Sequence, residues 1–165
     1  MRYVLLKHKN GDDFHVDFLL DCGGERLLSW QIDDEKFAGS LVSCVKFFIL
    51  AEQSKQTTDT INTVCQRIFD HRRLYLDYEG EISENRGHVT RIEWGQWDIS
   101  ATNGRQITLT TIGRHIAQNA ITVKRWQFRP PENFVIDTQN LSVQNLMQKL
   151  PLPGHVKWHL CCVLV

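Results

Sequence analysis

The sequence predicts a mainly β fold, a single-domain β-barrel with a few short flanking helices. Three observations carry this expectation. Short stretches alternate apolar and polar residues at period two, Gly- or Asn-containing turns separate them at regular spacing, and the bulk composition is that of one ordinary globular domain. The chain has 165 residues, of which 42% are hydrophobic and 23% charged, enough to bury one real core.

The elements follow in order. Tyr3 to Leu6 is a short apolar run, and Lys9-Asn10-Gly11-Asp12-Asp13 is a polar turn. Phe14, Val16 and Phe18 then alternate with His15 and Asp17, the pattern of a half-buried strand. Cys22-Gly23-Gly24-Glu25 breaks the chain, and Arg26 to Ile32 reads as the next strand of a meander. Leu41 to Leu50 fits a buried strand or a buried helix. Over Thr57 to Phe69, Ile61, Val64, Cys65, Ile68 and Phe69 fall at helical spacing, with Asp59 as N-cap.

Strands are expected again at Leu74 to Tyr78, His88 to Trp94, Gln96 to Ser100, Gln106 to Ile112 and Ala120 to Phe128, with turns at Glu84-Asn85-Arg86-Gly87 and Thr102-Asn103-Gly104. Pro130-Pro131 marks a boundary between a barrel domain over 1–130 and a C-terminal extension over 131–165 packed on the same domain. In that extension Leu141, Met147 and Leu150 suggest a short helix ending at Pro151, and Val156 to Val165 a final strand. There is no internal repeat.

Nineteen Lys and Arg balance nineteen Asp and Glu, so the formal net charge is zero. That argues against tight non-specific duplex binding while leaving room for a local basic patch. The N-terminus turns polar too soon for a signal peptide, and no apolar run has the length of a membrane span. Cys22, Cys44, Cys65, Cys161 and Cys162 are odd in number and show no CxxC spacing; they read as free, mostly buried thiols. The expectation is a cytoplasmic protein with no membrane partner.

Two constellations could carry chemistry. His15 and Asp17 lie two apart on a predicted strand and share a face, and His8 sits across the turn on its neighbour. Two imidazoles and a carboxylate suit Mn²⁺, Zn²⁺ or another divalent transition metal with open positions. The same residues also suit a solvated strand face. The second constellation is His71-Arg72-Arg73-Leu74-Tyr75-Leu76-Asp77-Tyr78-Glu79-Gly80. Arg72 and Arg73 offer phosphate-binding guanidinium groups, and His71 offers a general acid or phosphoryl donor. Read as a strand, it puts Tyr75, Asp77 and Glu79 on one face, which an edge strand with one polar face would also do.

His8, His15-Val16-Asp17-Phe18-Leu19-Leu20 and Leu28-Ser29-Trp30 resemble the metal-binding opening of the 3′-phosphoesterase domains of bacterial DNA ligase D, in particular their short stand-alone branch. Asp70 to Gly80 is similar to that family's second block. Arg86-Gly87-His88-Val89-Thr90-Arg91, Trp94, Trp97, Ile112-Gly113-Arg114 and Ile121 to Arg125 continue the likeness. It covers Tyr3 to about Phe128 with gaps.

The resemblance implies a barrel with a crescent groove and one Mn²⁺. It also implies removal of 3′-phosphates or 3′-ribonucleosides from nucleic-acid ends (DNA or DNA/RNA) in DNA repair, beside a ligase or another repair protein. Residue by residue, His8, His15 and Asp17 match the metal ligands, and His71 and Tyr75 match the groups on the scissile phosphate. Arg72, Arg73 and Arg86 are the candidate phosphate and substrate contacts. Leu19 stands where ligase-fused members carry an Arg, Gln31-Ile32-Asp33-Asp34 replaces a Pro-Lys-Gly segment, and the His8–His15 spacing is one residue longer. Residues 37–64 are expected to hold an insertion. Two further readings stand beside the enzyme: a non-catalytic module binding nucleic-acid ends or a repair partner, and a phosphoesterase acting on a smaller substrate.

Lesser candidates are Cys161-Cys162 with His155 and His159 as a metal site, His88 and His115 as isolated histidines, Gly23-Gly24 as a hairpin turn, and Trp94, Trp97 and Trp126 as base-stacking faces, with core packing expected for at least two of these.

Overall fold

The computed structural model describes residues 1–34, 37, 39–41, 60–150, 154 and 156–165. Its strands are β1 (Arg2–Asn10), β2 (Asp13–Asp21), β3 (Arg26–Ile32), β4 (Thr60–Arg67), β5 (His71–Arg72), β6 (Gly80–Glu81), β7 (His88–Asn103), β8 (Gln106–His115), β9 (Ala120–Arg129) and β10 (Lys157–Leu164). Eight of them form a closed antiparallel barrel in the order β1-β2-β3-β4-β10-β9-β8-β7, with β7 returning to pair with β1. The two-residue strands β5 and β6 lie outside the ring, on β3 and β7. Closure leaves no edge among the eight staves.

Alternation sorts each strand into an inner and an outer face. Val16, Phe18 and Leu20 of β2 point inward with Leu28, Trp30 and Ile32 of β3 and Trp126 and Phe128 of β9. Aromatic rings interlock there, Trp30 on Phe128 at 4.5 Å and Phe18 on Trp126 at 4.8 Å between centroids. The interior also holds a polar cluster: Tyr3 Oη donates to Glu93, and the Lys124 ammonium pairs with the same carboxylate, both charges fully buried. Gly113 makes room for this cluster, since a Cβ there would lie 1.9 Å from Tyr3 Oη.

Four sequence expectations change. Thr60 to Arg67 is a strand, not the helix expected over Thr57 to Phe69; residues 57–59, Asp59 included, lie outside the described residues. The inward set is Ile61, Thr63, Cys65 and Arg67, and pairing with β3 and β10 gives this segment its ladder. Leu74 to Tyr78 is not a strand. Arg73–Leu76 forms a 3-10 turn with consecutive Tyr75 and Leu76 both buried, so Tyr75, Asp77 and Glu79 share no strand face. The two strands expected at His88 to Ser100 are one, β7. The tail past Pro130 supplies a stave of the barrel, β10, in addition to a short helix α1 (Leu146–Lys149) and the apolar residues Phe134, Ile136, Val143 and Leu150, which pack into the same core.

Of the segment 37–64, Phe37 and Leu41 are helical and buried in the core, and β4 begins at Thr60. Residues 42–59 lie outside the described residues, and with them most of the Leu41 to Leu50 question. Cys22, Cys65 and Cys162 are buried and Cys161 is half-buried, none of the four in a disulfide; Cys44 lies outside the described residues. Among the described residues no helix is long and apolar enough to cross a membrane.

Candidate metal and phosphate site

The outer faces of β1, β2 and β3 carry a second apolar cluster of Val4, Leu6, Leu19, Leu27, Tyr75, Leu76 and Val89. The 3-10 turn covers this patch from outside the barrel. His8, His15, Asp17 and Ser29 belong to the same outer face, at the margin of the cover, and His71 enters from β5 above them.

The β1–β2 register sets His8 directly opposite His15. His8 Nδ1 lies 3.1 Å from His15 Nε2 and 3.8 Å from Asp17 Oδ2; His15 Nε2 lies 3.4 Å from Asp17 Oδ1. One ligand atom from each residue falls within 4.8 Å of the others. Donors held about 2.1 Å from one ion at angles between 90° and 110° are separated by about 3.0–3.4 Å. The donor set therefore fits a divalent transition metal.

Two further observations support the fit. Asp17 is 1% exposed, and its Oδ1 is buried with no hydrogen bond and with His15 Nε2 at 3.4 Å, an expensive state for a carboxylate oxygen unless a cation, a metal ion or a protonated His15, meets it. His8 Nε2 lies 2.7 Å from the Arg86 carbonyl. Only a protonated Nε2 can make that bond, which leaves the Nδ1 lone pair for the cluster. Gly87 holds the carbonyl loop there: it has φ +96° and a Cβ would come within 2.1 Å of the Lys9 carbonyl oxygen.

His71 completes the group. Its Nε2 lies 3.9 Å from Asp17 Oδ2, and its Nδ1 lies 3.0 Å from Ser29 Oγ. The Ser29 hydroxyl donates to the Leu27 carbonyl and accepts the His71 backbone N–H, so its remaining lone pair accepts Nδ1–H and Nε2 is turned to the cluster. The Tyr75 ring stands edge-on to His71, centroids 5.4 Å apart. Burial lowers the His71 pKa, with the Asp17 charge opposing it. Burial works in the same direction on His15, but the neighbouring Asp17 carboxylate outweighs it and the net shift is upward.

A cleft of about 530 Å³ opens beside the cluster, lined by His8, His71, Tyr75, Arg26, Arg72 and Arg86 among others. Among the described residues Arg72 has no hydrogen-bond or ion-pair partner for its exposed guanidinium. Arg86 bonds the Ser83 carbonyl and hydroxyl from the rim. Arg73 is not brought to the cleft. It makes a two-pronged ion pair with Asp21 at 2.7 and 2.6 Å and bonds the Gly24 carbonyl, a clamp of the cover onto the barrel.

Ser29 and Arg26 are site residues that the sequence reading assigned no role; a lone serine in the apolar run Leu27-Leu28-Ser29-Trp30 was the available signal. Leu19 is fully buried against the cover and presents nothing to the cleft. His88 pairs with Glu81 on the surface, His115 is buried, and Trp97 and Trp126 are core residues while Trp94 is 41% exposed. The cysteine–histidine site cannot be assembled from the described residues, because His155 lies outside them. No protein-family model matches the chain, and no curated protein matches it.

Proposed function

We propose that this protein is a metal-dependent phosphoesterase that removes 3′-phosphates or 3′-ribonucleosides from nucleic-acid ends, in support of DNA end repair. The observation that carries the reading is the joint geometry of two histidine nitrogens, a buried carboxylate with an unpartnered oxygen, and His71 facing the same point beside an arginine-lined cleft. His8 through Nδ1, His15 through Nε2 and Asp17 would hold the ion, with Mn²⁺ the first candidate and Zn²⁺ the second. Such an ion withdraws charge from phosphoryl oxygens and lowers the pKa of bound water.

The chain's own groups do the rest. Arg72 and Arg86 bind and orient the phosphate. Ser29 fixes the His71 ring so that Nε2 can take or return a proton at the reacting phosphate. The Tyr75 ring lines the same cleft edge-on to His71, and its hydroxyl would donate to a phosphoryl oxygen.

The test is end-group analysis of a labelled primer–template carrying a 3′-phosphate or a single 3′-ribonucleotide, with Mn²⁺, for wild type and Asp17→Ala. Conversion to a 3′-hydroxyl by wild type alone is expected. No conversion by folded, Mn²⁺-loaded wild type would overturn the reading. It would favour a non-catalytic module that binds nucleic-acid ends, for which the buried, uncharged Leu19 at the position two after Asp17 is the specific observation. Turnover of a free nucleotide in preference to the oligonucleotide would favour the small-substrate enzyme instead.

A further inference from the structure

Phe69 is 83% exposed, the most exposed large hydrophobic side chain among the described residues. It lines the same cleft as His71, Arg72, Arg26 and Tyr75. Its neighbours in sequence are tied down. Ile68 N–H bonds the Ser29 carbonyl at 3.1 Å, Asp70 pairs with buried Arg67, and the Asp70 carbonyl accepts from Arg26 at 3.0 Å. The backbone on both sides of Phe69 is therefore anchored while its ring stands in water. Keeping about one full side chain of apolar surface out of the core forgoes the stabilisation that its burial would bring. The local packing does not require it, since Leu19, Leu27, Tyr75 and Leu76 already close the adjoining cluster.

We propose that Phe69 is a stacking platform for an unpaired nucleobase and that the site takes nucleic acid with a single-stranded or frayed 3′ terminus. The inference rests on the reading of the site as a phosphoester site and names its substrate class. An aromatic ring beside guanidinium groups, one of them without a partner among the described residues, is the pairing that single strands require: the π-face accepts any base, and the cations track the phosphates. The Arg72 guanidinium, free of partners among the described residues, takes the phosphate next to the stacked base. Arg26 is steadied by the Asp70 carbonyl and flanks Arg72 across the β3–β5 register. A base inside a duplex is covered on both faces, and a terminal pair offers one face that its partner strand holds in place, whereas an unpaired terminal base is free to turn onto Phe69. Selection of unpaired ends follows without any base-specific hydrogen bond, and it does not need the net positive charge that this chain lacks.

The test uses oligonucleotides that end in a 3′-hydroxyl with 2-aminopurine as the last base. They have no 3′-phosphate to lose, so binding is read apart from turnover. Wild type, Phe69→Ala and Phe69→Trp are titrated with the single strand and with a blunt duplex of the same sequence. The expected result is a change in 2-aminopurine fluorescence on binding the single strand, tighter binding of the single strand than of the duplex, a five- to hundredfold weaker Kd in Phe69→Ala, and retention in Phe69→Trp. Equal affinity of Phe69→Ala and wild type, or equal affinity for single strand and blunt duplex, would overturn the inference. Removal of a 3′-phosphate by the same proteins is measured separately. Its absence would sink the phosphoesterase reading and leave the stacking result standing on its own.

Discussion

Asp17 shows what a single residue contributes. Burying a carboxylate with one oxygen unpartnered costs stability in a protein without its ion; a divalent ion turns that cost into affinity. The isosteric Asp17→Asn variant is therefore expected to be at least as stable as wild type in chelator. Adding Mn²⁺ at a hundredfold excess over its Kd should stabilise wild type by about 2.7 kcal/mol, a rise of roughly 5–10 °C in Tm for a domain of this size, and should leave Asp17→Asn unmoved. Thermal melts with and without Mn²⁺ check this, and an equal rise in both proteins would remove the metal assignment. The juxtaposition of His8, His15 and Asp17 was legible in the sequence because a hairpin register and period-two alternation need no tertiary information: His8 opposite His15, and Asp17 two beyond, follow from the turn between β1 and β2. The fate of Arg73 was not legible. Nothing local distinguishes it from Arg72, and its partner Asp21 lies 52 positions away.

Alternation of apolar residues located β2 and β3, and β4 was misread because polar side chains face inward. In β4 the inward positions include Thr63 and Arg67, whereas the apolar Val64 is 40% exposed. The apolar residues that remained visible fell by chance at helical spacing. The 3-10 turn misled in the opposite sense, because Leu-Tyr-Leu-Asp-Tyr alternates like a strand while it packs as a cap over the outer cluster. Arg67 joins these two misread pieces. It is 3% exposed, reaches the Ser29 carbonyl at 3.2 Å and the Ile68 carbonyl, and pairs with Asp70. Its pKa is lowered by burial, with Asp70 opposing. It thus links β4, β3 and the segment that carries His71. Arg67→Met should destabilise by about 3 kcal/mol, the low end for breaking a buried pair, because the Asp70 side chain keeps 25% of its surface in water. Asp70→Asn in the same chain should recover part of the loss. Urea unfolding of the three proteins reads both effects, and a loss below about 0.5 kcal/mol in Arg67→Met would show that the guanidinium is not holding the segment.

For the whole molecule, barrel closure depends on a stave from the tail, β10 between β4 and β9, and on a filled interior in which a charged pair and His115 share space with the aromatic core. His115 is fully buried, lies opposite Glu93 in the β7–β8 register, and has the Gln118 side chain beside its ring, at a distance too long or an angle too poor for a full hydrogen bond. Burial lowers its pKa, Glu93 opposes that shift and Lys124 adds to it. The folded state therefore binds the proton more weakly than the unfolded chain, whose histidine titrates near 6.5. Wherever the unfolded state binds more protons, stability falls as pH falls. The His115 contribution is intact above about pH 6.5 and is lost progressively as pH drops toward the lowered folded value. His71 contributes with the same sign and His15, whose pKa is raised, with the opposite one, so the wild-type slope alone does not isolate the buried ring. The difference between wild type and His115→Phe does. Unfolding free energies of both proteins between pH 7.5 and 5, a window chosen around the unfolded value of about 6.5, should show a shallower acid loss in the variant, whatever its stability at neutral pH. Parallel pH profiles would mean that His115 gains its proton without opening the barrel.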